Sequence, residues 1–101
     1  MTKDIEFVNF LEDIDHIDDL KSIDIVYEYL DPIIDSKDFD RVMDIIEMII
    51  TKQFSLRVLI AVLTITHTQK NKLGNRQKII DTIRQNNRLT KNQIESLLKG
   101  F

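Results

Sequence analysis

Residues 23–50 read IDIVYEYLDPIIDSKDFDRVMDIIEMII, and the spacing of the apolar residues in this stretch predicts α-helices. In the first half they recur at steps of three and four residues, which places them along one side of a helix: Ile23, Val26, Tyr27, Leu30, Ile33 and Ile34. The second half repeats the spacing sixteen residues later: Phe39, Val42, Met43, Ile46, Ile49 and Ile50. We therefore expect two successive amphipathic helices at the centre of the chain.

The sixteen-residue repeat has two interpretations. It is similar to the helical hairpin repeats of tetratricopeptide-type arrays. Two amphipathic helices of similar length also produce it, and we favour this simpler interpretation. Gly74, Gly100 and Pro32 are the only glycines and the only proline, so the punctuation expected of a strand-rich protein is almost missing.

Working outward from this stretch, periodicity and capping residues predict six helices. The first covers about residues 4–15, with Ile5, Val8 and Leu11 facing inward, joined by Phe7 and Ile14. The second is capped by Asp18, Asp19 or Ser22, and Pro32 is expected to kink or break it near Leu30 to Asp31. The other four cover about residues 38–52, 55–68, 75–86 and 90–100 and begin at Asp38, Ser55, Asn75 and Thr90. In the last two of them we expect these residues to face inward: Ile79, Ile80, Ile83, Ile94, Leu97 and Leu98.

The fourth of these helices is apolar on nearly every face, as expected of a helix that others surround. The sequence thus predicts an all-α fold, a compact bundle or a short superhelical stack, in one domain over residues 1–101. With no Cys, the fold must be held together by packing alone.

The terminal and apolar segments bear on location. The first residues are acidic where a secretory signal carries positive charge, so we expect a cytoplasmic protein. The most apolar run, residues 56–65, contains Arg57 and is far shorter than the roughly 20 residues of a membrane-spanning helix. We expect no contact with a membrane.

Charge is distributed unevenly along the chain. Residues 1–51 hold four Lys or Arg and fifteen Asp or Glu, a formal net charge of -11, whereas residues 52–101 hold ten and two, a net charge of +8. Folding can bring the two halves together so that surface ion pairs cancel the fields. Alternatively, helices that stack in chain order leave a negative and a positive end, which steers partners or drives head-to-tail association.

The basic part offers one candidate surface. Phosphate contacts could come from Lys70, Lys72, Arg76, Lys78, Arg84, Arg88 and Lys91. No aromatic residue lies between Phe54 and Phe101 to stack on bases, which favours a solvated helix face over a nucleic-acid site.

Residues 75–98, NRQKIIDTIRQNNRLTKNQIESLL, resemble the first two helices of a winged-helix repressor domain. The shared features are an Arg-started, isoleucine-rich helix followed by a Leu-Thr cap and a second helix. In that family the recognition helix that enters the major groove comes next, beyond the resemblance. The resemblance therefore implies a capped helical hairpin and transfers no functional residue.

Several chemical sites are excluded by pattern. The acidic stretch EDIDHIDDL, residues 12–20, fails as a calcium loop because Ile17 would hold a ligand position and Asp18 the place of the turn glycine. Neither histidine belongs to a ligand pair at helical spacing, and no glycine-rich phosphate loop or framed nucleophile is present. We expect no metal, no cofactor and no catalysis.

What remains is binding. We predict a non-catalytic protein that captures another protein, as an inhibitor, immunity or adaptor protein does, through an acidic face. That face comprises Glu12, Asp13, Asp15, Asp18, Asp19, Asp24, Glu28 and Tyr29, of which Tyr29 can either anchor the partner or pack on the first helix. Nucleic-acid binding through residues 70–91 is the alternative, and self-association by opposite ends is a third.

Overall fold

The computed structural model describes residues 2–69, 72–73, 76–85 and 89–99. These residues form helices and connecting turns without a strand, which confirms the all-α prediction. The helices are α1 Thr2–Ile17, α2 Asp19–Asp35, α3 Phe39–Thr51, α4 Leu56–Thr68, α5 Arg76–Arg84 and α6 Lys91–Leu98.

Side-chain caps begin four of these helices, largely where the sequence placed them. Asp18 accepts hydrogen bonds from two backbone N–H groups at the start of α2, and Asp38 accepts one at the start of α3. Ser55 caps α4 in the same way. At α6, Thr90 and Gln93 form a reciprocal capping box, so both predicted hydroxyl caps are confirmed. Residues 75, 86 and 100, where the predicted bounds of α5 and α6 fell, lie outside the described residues.

The predicted break at Pro32 does not occur. Helix α2 runs through Pro32 to Asp35, and the Ser36 N–H still bonds to the Pro32 carbonyl at 3.0 Å. Proline has no N–H to donate to the Glu28 carbonyl four residues earlier, but Pro32 and Glu28 are exposed, so water can bond to that carbonyl. Leu30 and Ile33 on either side of Pro32 are buried and hold the helix against the core.

The turn after α2 has a conformation that usually calls for glycine. Lys37 has φ of 63°, and its N–H bonds to the Ile34 carbonyl at 2.9 Å while the Asp38 N–H bonds to the Ile33 carbonyl at 3.2 Å. These two bonds form a Schellman motif, which ends a helix with one left-handed residue. A lysine there carries the steric cost of its Cβ.

Specific contacts show how the helices are arranged. Tyr29, late in α2, bonds to Asp4 at the start of α1, so α1 and α2 are antiparallel. Arg41 at the start of α3 also bonds to Asp4, which places α3 beside α1 in the same direction. Arg57 at the start of α4 pairs with Asp19 at the start of α2, so these two helices are likewise parallel.

Helices α5 and α6 extend this order. Helix α5 packs on α3, and α6 packs on α5 and shares a groove with α4. The fold is therefore a small all-α bundle in which α1, α3 and α5 form one layer, α2 and α4 form the other, and α6 packs on α5. The sixteen-residue repeat relates α2 to the antiparallel α3 and not one hairpin to the next.

The core lies between the two layers. Its largest fully buried side chains are Leu11, Leu30, Ile45, Ile46, Ile49, Phe54, Leu59, Leu63, Leu73 and Ile83. Helix α4 is mostly buried, as predicted, but Leu56 and Ile60 on it are exposed. The inward placement of Ile5 was wrong, because α2 and α3 cover the side of α1 that carries Phe7, Val8 and Leu11 and leave Ile5 50% exposed.

Candidate protein-binding surface

The three acidic helices remain together in the fold. Helices α1, α2 and α3 each contact the other two. Among the described residues, Arg41 pairs with Asp4 at 2.8 Å and Arg84 with Glu95 at 3.6 Å, each within one half of the chain, while Arg57 and Asp19 join the halves at 3.2 Å. The acidic helices are thus neighbours in the fold, and one described ion pair links them to the basic half.

Asp4 is the polar centre of the contact between α1, α2 and α3. Its carboxylate is buried and accepts hydrogen bonds from Arg41 Nε at 3.0 Å and Arg41 Nη2 at 2.8 Å. The Tyr29 hydroxyl donates a third bond at 2.6 Å. A buried carboxylate is stable only with such partners, so this cluster fixes how the three helices meet.

The cluster shifts the pKa of its members. Hydrogen bonds from Arg41 hold the pKa of Asp4 below its usual value, although burial acts in the opposite direction. Burial raises the pKa of Tyr29, and its bond to the Asp4 carboxylate raises it further. Asp4 is therefore ionised and Tyr29 protonated at neutral pH, so that the carboxylate accepts from both the Arg41 guanidinium and the Tyr29 hydroxyl.

Tyr29 is a packing residue in this structure. Its ring stacks on Phe7 of α1 with the ring centres 3.7 Å apart and the planes 6° from parallel. The sequence left open whether Tyr29 anchors a partner or packs on the first helix. The observed contacts are those of packing, and the ring is only partly accessible.

Asp15 links three helices from the end of α1. Its carboxylate accepts hydrogen bonds from the Ser55 N–H and the Ser55 hydroxyl, each at 2.7 Å, at the start of α4. The Ser22 hydroxyl of α2 lies 2.9 Å from the same carboxylate. Asp15 thus supplements the cap of α4, a role that sequence analysis missed because the two residues are 40 positions apart.

The other predicted acidic residues divide into two groups. Asp18 caps α2 and Asp19 pairs with Arg57, so both have roles in the fold. Asp13 of α1 and Asp24 and Glu28 of α2 are exposed on the outer sides of their helices, and Glu12 is half-buried. Of the proposed face, Asp13, Asp24 and Glu28 are exposed to a partner, and so is Asp18 although it caps α2.

The basic candidates are only partly described. Lys70 and Arg88 lie outside the described residues, and for Arg76 and Lys78 the description is limited to the backbone of α5. Lys72 lies over the Phe39 ring, 6.0 Å from its centre, and Arg84 pairs with Glu95. Lys91 is exposed at the start of α6.

A groove between α1 and α3 was not predicted. It has a volume of about 440 Å³ and is lined by Asp4, Ile5, Asp44, Glu47, Met48 and Thr51. A smaller groove of about 190 Å³ lies between α4 and α6, lined by Leu56, Ile60, Leu89, Gln93 and Ser96. In the sequence, the apolar residues of both grooves have the same helical spacing as core residues. Only the packing of the helices shows which of these residues stay exposed.

Over the described ranges, the His, Asp and Glu side chains form no group of three that could hold a metal ion. Within the same ranges, every helix is too short or too polar to cross a bilayer.

Comparisons with protein-family models, with curated proteins and with solved structures found no match to this chain.

Proposed function

We propose that this is a non-catalytic, cytoplasmic binding protein that captures a partner protein through the acidic surface of α1, α2 and α3. The observation that supports the proposal is the mutual packing of these three helices, which keeps the acidic residues of 1–51 within one group of neighbouring helices. An inhibitor, immunity or adaptor role fits such a surface.

The proposed mechanism has two stages. A surface of one sign raises the rate of encounter with a partner of opposite sign, and apolar contacts then hold the complex. Asp13, Asp24 and Glu28 would serve the first stage because they are exposed. Asp15 and Asp18 are poor choices for a binding test, since their removal would also weaken the fold.

The test compares affinity capture from the source cell by three forms of the protein. The acidic-surface variant carries Asp13→Asn, Asp24→Asn and Glu28→Gln. A control of equal charge change carries Lys on the exposed positions of the basic half: Thr64→Lys, Gln85→Lys and Asn92→Lys. We expect a partner that the wild type and the control both recover and the acidic-surface variant does not. Recovery of the same proteins by all three forms would reject the proposal.

Nucleic-acid binding is tested with the same material. Wild-type protein is titrated into random-sequence DNA and RNA at about 0.15 M salt, where non-specific binding is typically 10⁻⁴ to 10⁻⁶ M. The proposal expects no saturable binding tighter than this range. Submicromolar binding that disappears in Arg84→Ala/Lys91→Ala would instead assign function to the basic helices.

A further inference from the structure

The groove between α1 and α3 combines an apolar floor with an acidic edge. Ile5 is 50% exposed, and Met48 is half-buried beside it although it also packs against the core. Asp44 and Glu47 stand on the α3 side. An exposed isoleucine next to a flexible methionine is a surface that can accommodate an apolar side chain from a partner.

The electrostatics of this groove favour a cation. Asp40 lies one helical turn before Asp44 on the exposed side of α3, and both are exposed. The basic side chains of α3 and of the turn after it are already engaged: Arg41 binds Asp4, and Lys52 donates to the Asn9 side chain at 3.0 Å. A basic segment would therefore meet the exposed carboxylates of Asp40 and Asp44 beside an apolar floor.

The groove walls select the conformation of the occupant. Both walls are helices, which offer side chains to an occupant and not the free edge of a sheet that an extended strand would join. The lining on α3 extends from Asp44 to Thr51, about 10 Å along the helix axis at 1.5 Å per residue. That length matches two turns of a docked helix, which presents apolar side chains at steps of three and four residues.

Resting on the proposed function, we infer that this groove is the docking site for a cationic amphipathic helix of the partner protein. One apolar side chain of that helix inserts between Ile5 and Met48, and neighbouring Lys or Arg side chains lie beside Asp40 and Asp44. The binding surface then extends from the outer sides of α1 and α2 into the groove, where the second, apolar stage of capture takes place.

The test uses two synthetic 14-residue peptides of identical Leu and Lys content. One has leucines at helical spacing, and the other is scrambled so that it has no apolar face. Each is titrated into the protein by calorimetry, and the methyl resonances of Ile5 and Met48 are followed by NMR. We expect the amphipathic peptide to bind at least tenfold more tightly than the scrambled one and to shift both methyl resonances.

Matched variants locate the binding site. The groove variant Ile5→Thr/Asp44→Asn is compared with Ile60→Thr/Asp81→Asn, because Ile60 is also 50% exposed and Asp81 is an exposed helical acid on α5, outside the acidic surface. We expect at least a tenfold loss of affinity in the first and less than a twofold change in the second. Circular dichroism checks that both variants are folded, as we expect because the substituted residues are exposed.

The remaining outcomes separate this inference from the proposed function. Equal affinity of both peptides, shifts confined to residues outside the groove, or an unaffected groove variant would overturn the docking site. If Asp13→Asn/Asp24→Asn/Glu28→Gln still weakens binding in that case, capture by the acidic surface stands without the groove. If neither set of substitutions changes binding, both proposals fall.

Discussion

Replacing Asp15 with alanine should destabilise the fold far more than the same replacement of an exposed acidic residue. The carboxylate receives the Ser55 N–H and the Ser55 hydroxyl at 2.7 Å and lies 2.9 Å from the Ser22 hydroxyl. Ser22 is fully buried, and it is also 2.7 Å from the Asp19 carbonyl, so its single proton has an alternative acceptor. The two bonds from Ser55 therefore carry most of the effect.

The expected magnitude follows from those two bonds. A hydrogen bond to a charged group contributes about 1.5–3 kcal/mol, and the half-exposed position of Asp15 lets water replace part of this. We expect a loss of about 2–4 kcal/mol from a domain whose total stability should be about 5–15 kcal/mol. For a domain of this size the melting temperature should fall by roughly 8–30 °C.

The assay is urea unfolding followed by circular dichroism, with Asp13→Ala as the matched control. Asp13 is an exposed acid two positions earlier on α1, so its substitution makes the same charge change and should alter stability by about 0.5 kcal/mol or less. The dependence of unfolding free energy on urea should be unchanged in both variants, because the buried area is the same. Equal stability of the two variants would show that the link between α1 and α4 contributes nothing, and Asp15 would then be available for binding.

Three further predictions concern α2 and its contacts. Tyr29→Phe removes the hydroxyl that donates to Asp4 at 2.6 Å but keeps the stacking on Phe7, so unfolding should show a loss of about 1–2 kcal/mol, smaller than the loss in Tyr29→Ala. The pKa of Asp4 in the folded protein lies below its unfolded value of about 3.9, so its contribution to stability is complete above that pH and is lost as the pH falls through the folded pKa. The urea midpoint should therefore drop on acidification below about pH 4, and it should drop less steeply in Asp4→Asn. Lys37→Gly relieves the left-handed backbone at φ of 63° and should raise stability by up to about 1 kcal/mol, whereas no gain would argue against strain in this turn.

Local signals in the sequence were sufficient to locate most helices. Apolar residues at steps of three and four marked α2 and α3, and Ser55 and Thr90 marked the starts of α4 and α6. These signals act within one or two turns of chain, where geometry alone fixes which groups meet. The break predicted near Pro32 was wrong, because burial of its neighbours outweighed the one hydrogen bond that proline removes, whereas the kink predicted as the alternative stays a prediction.

The candidate surface was predictable only in part. The sequence identified the acidic half, and Asp13, Asp24 and Glu28 proved exposed. It could not separate them from Asp15, which has the same side chain and a similar setting in the sequence but binds Ser55 across 40 residues. Nor could it identify the groove, which depends on which side of Ile5 is left uncovered by α3.

The sequence by itself determined that this chain is helical, where several of its helices begin, and that its two halves carry opposite charge. Those properties depend on residue type and on short-range spacing. Only the tertiary structure decided which acids hold helices together and which face solvent, because that choice depends on contacts between residues far apart in the chain. The same contacts left Ile5 and Met48 beside an acidic edge, where a partner can reach them.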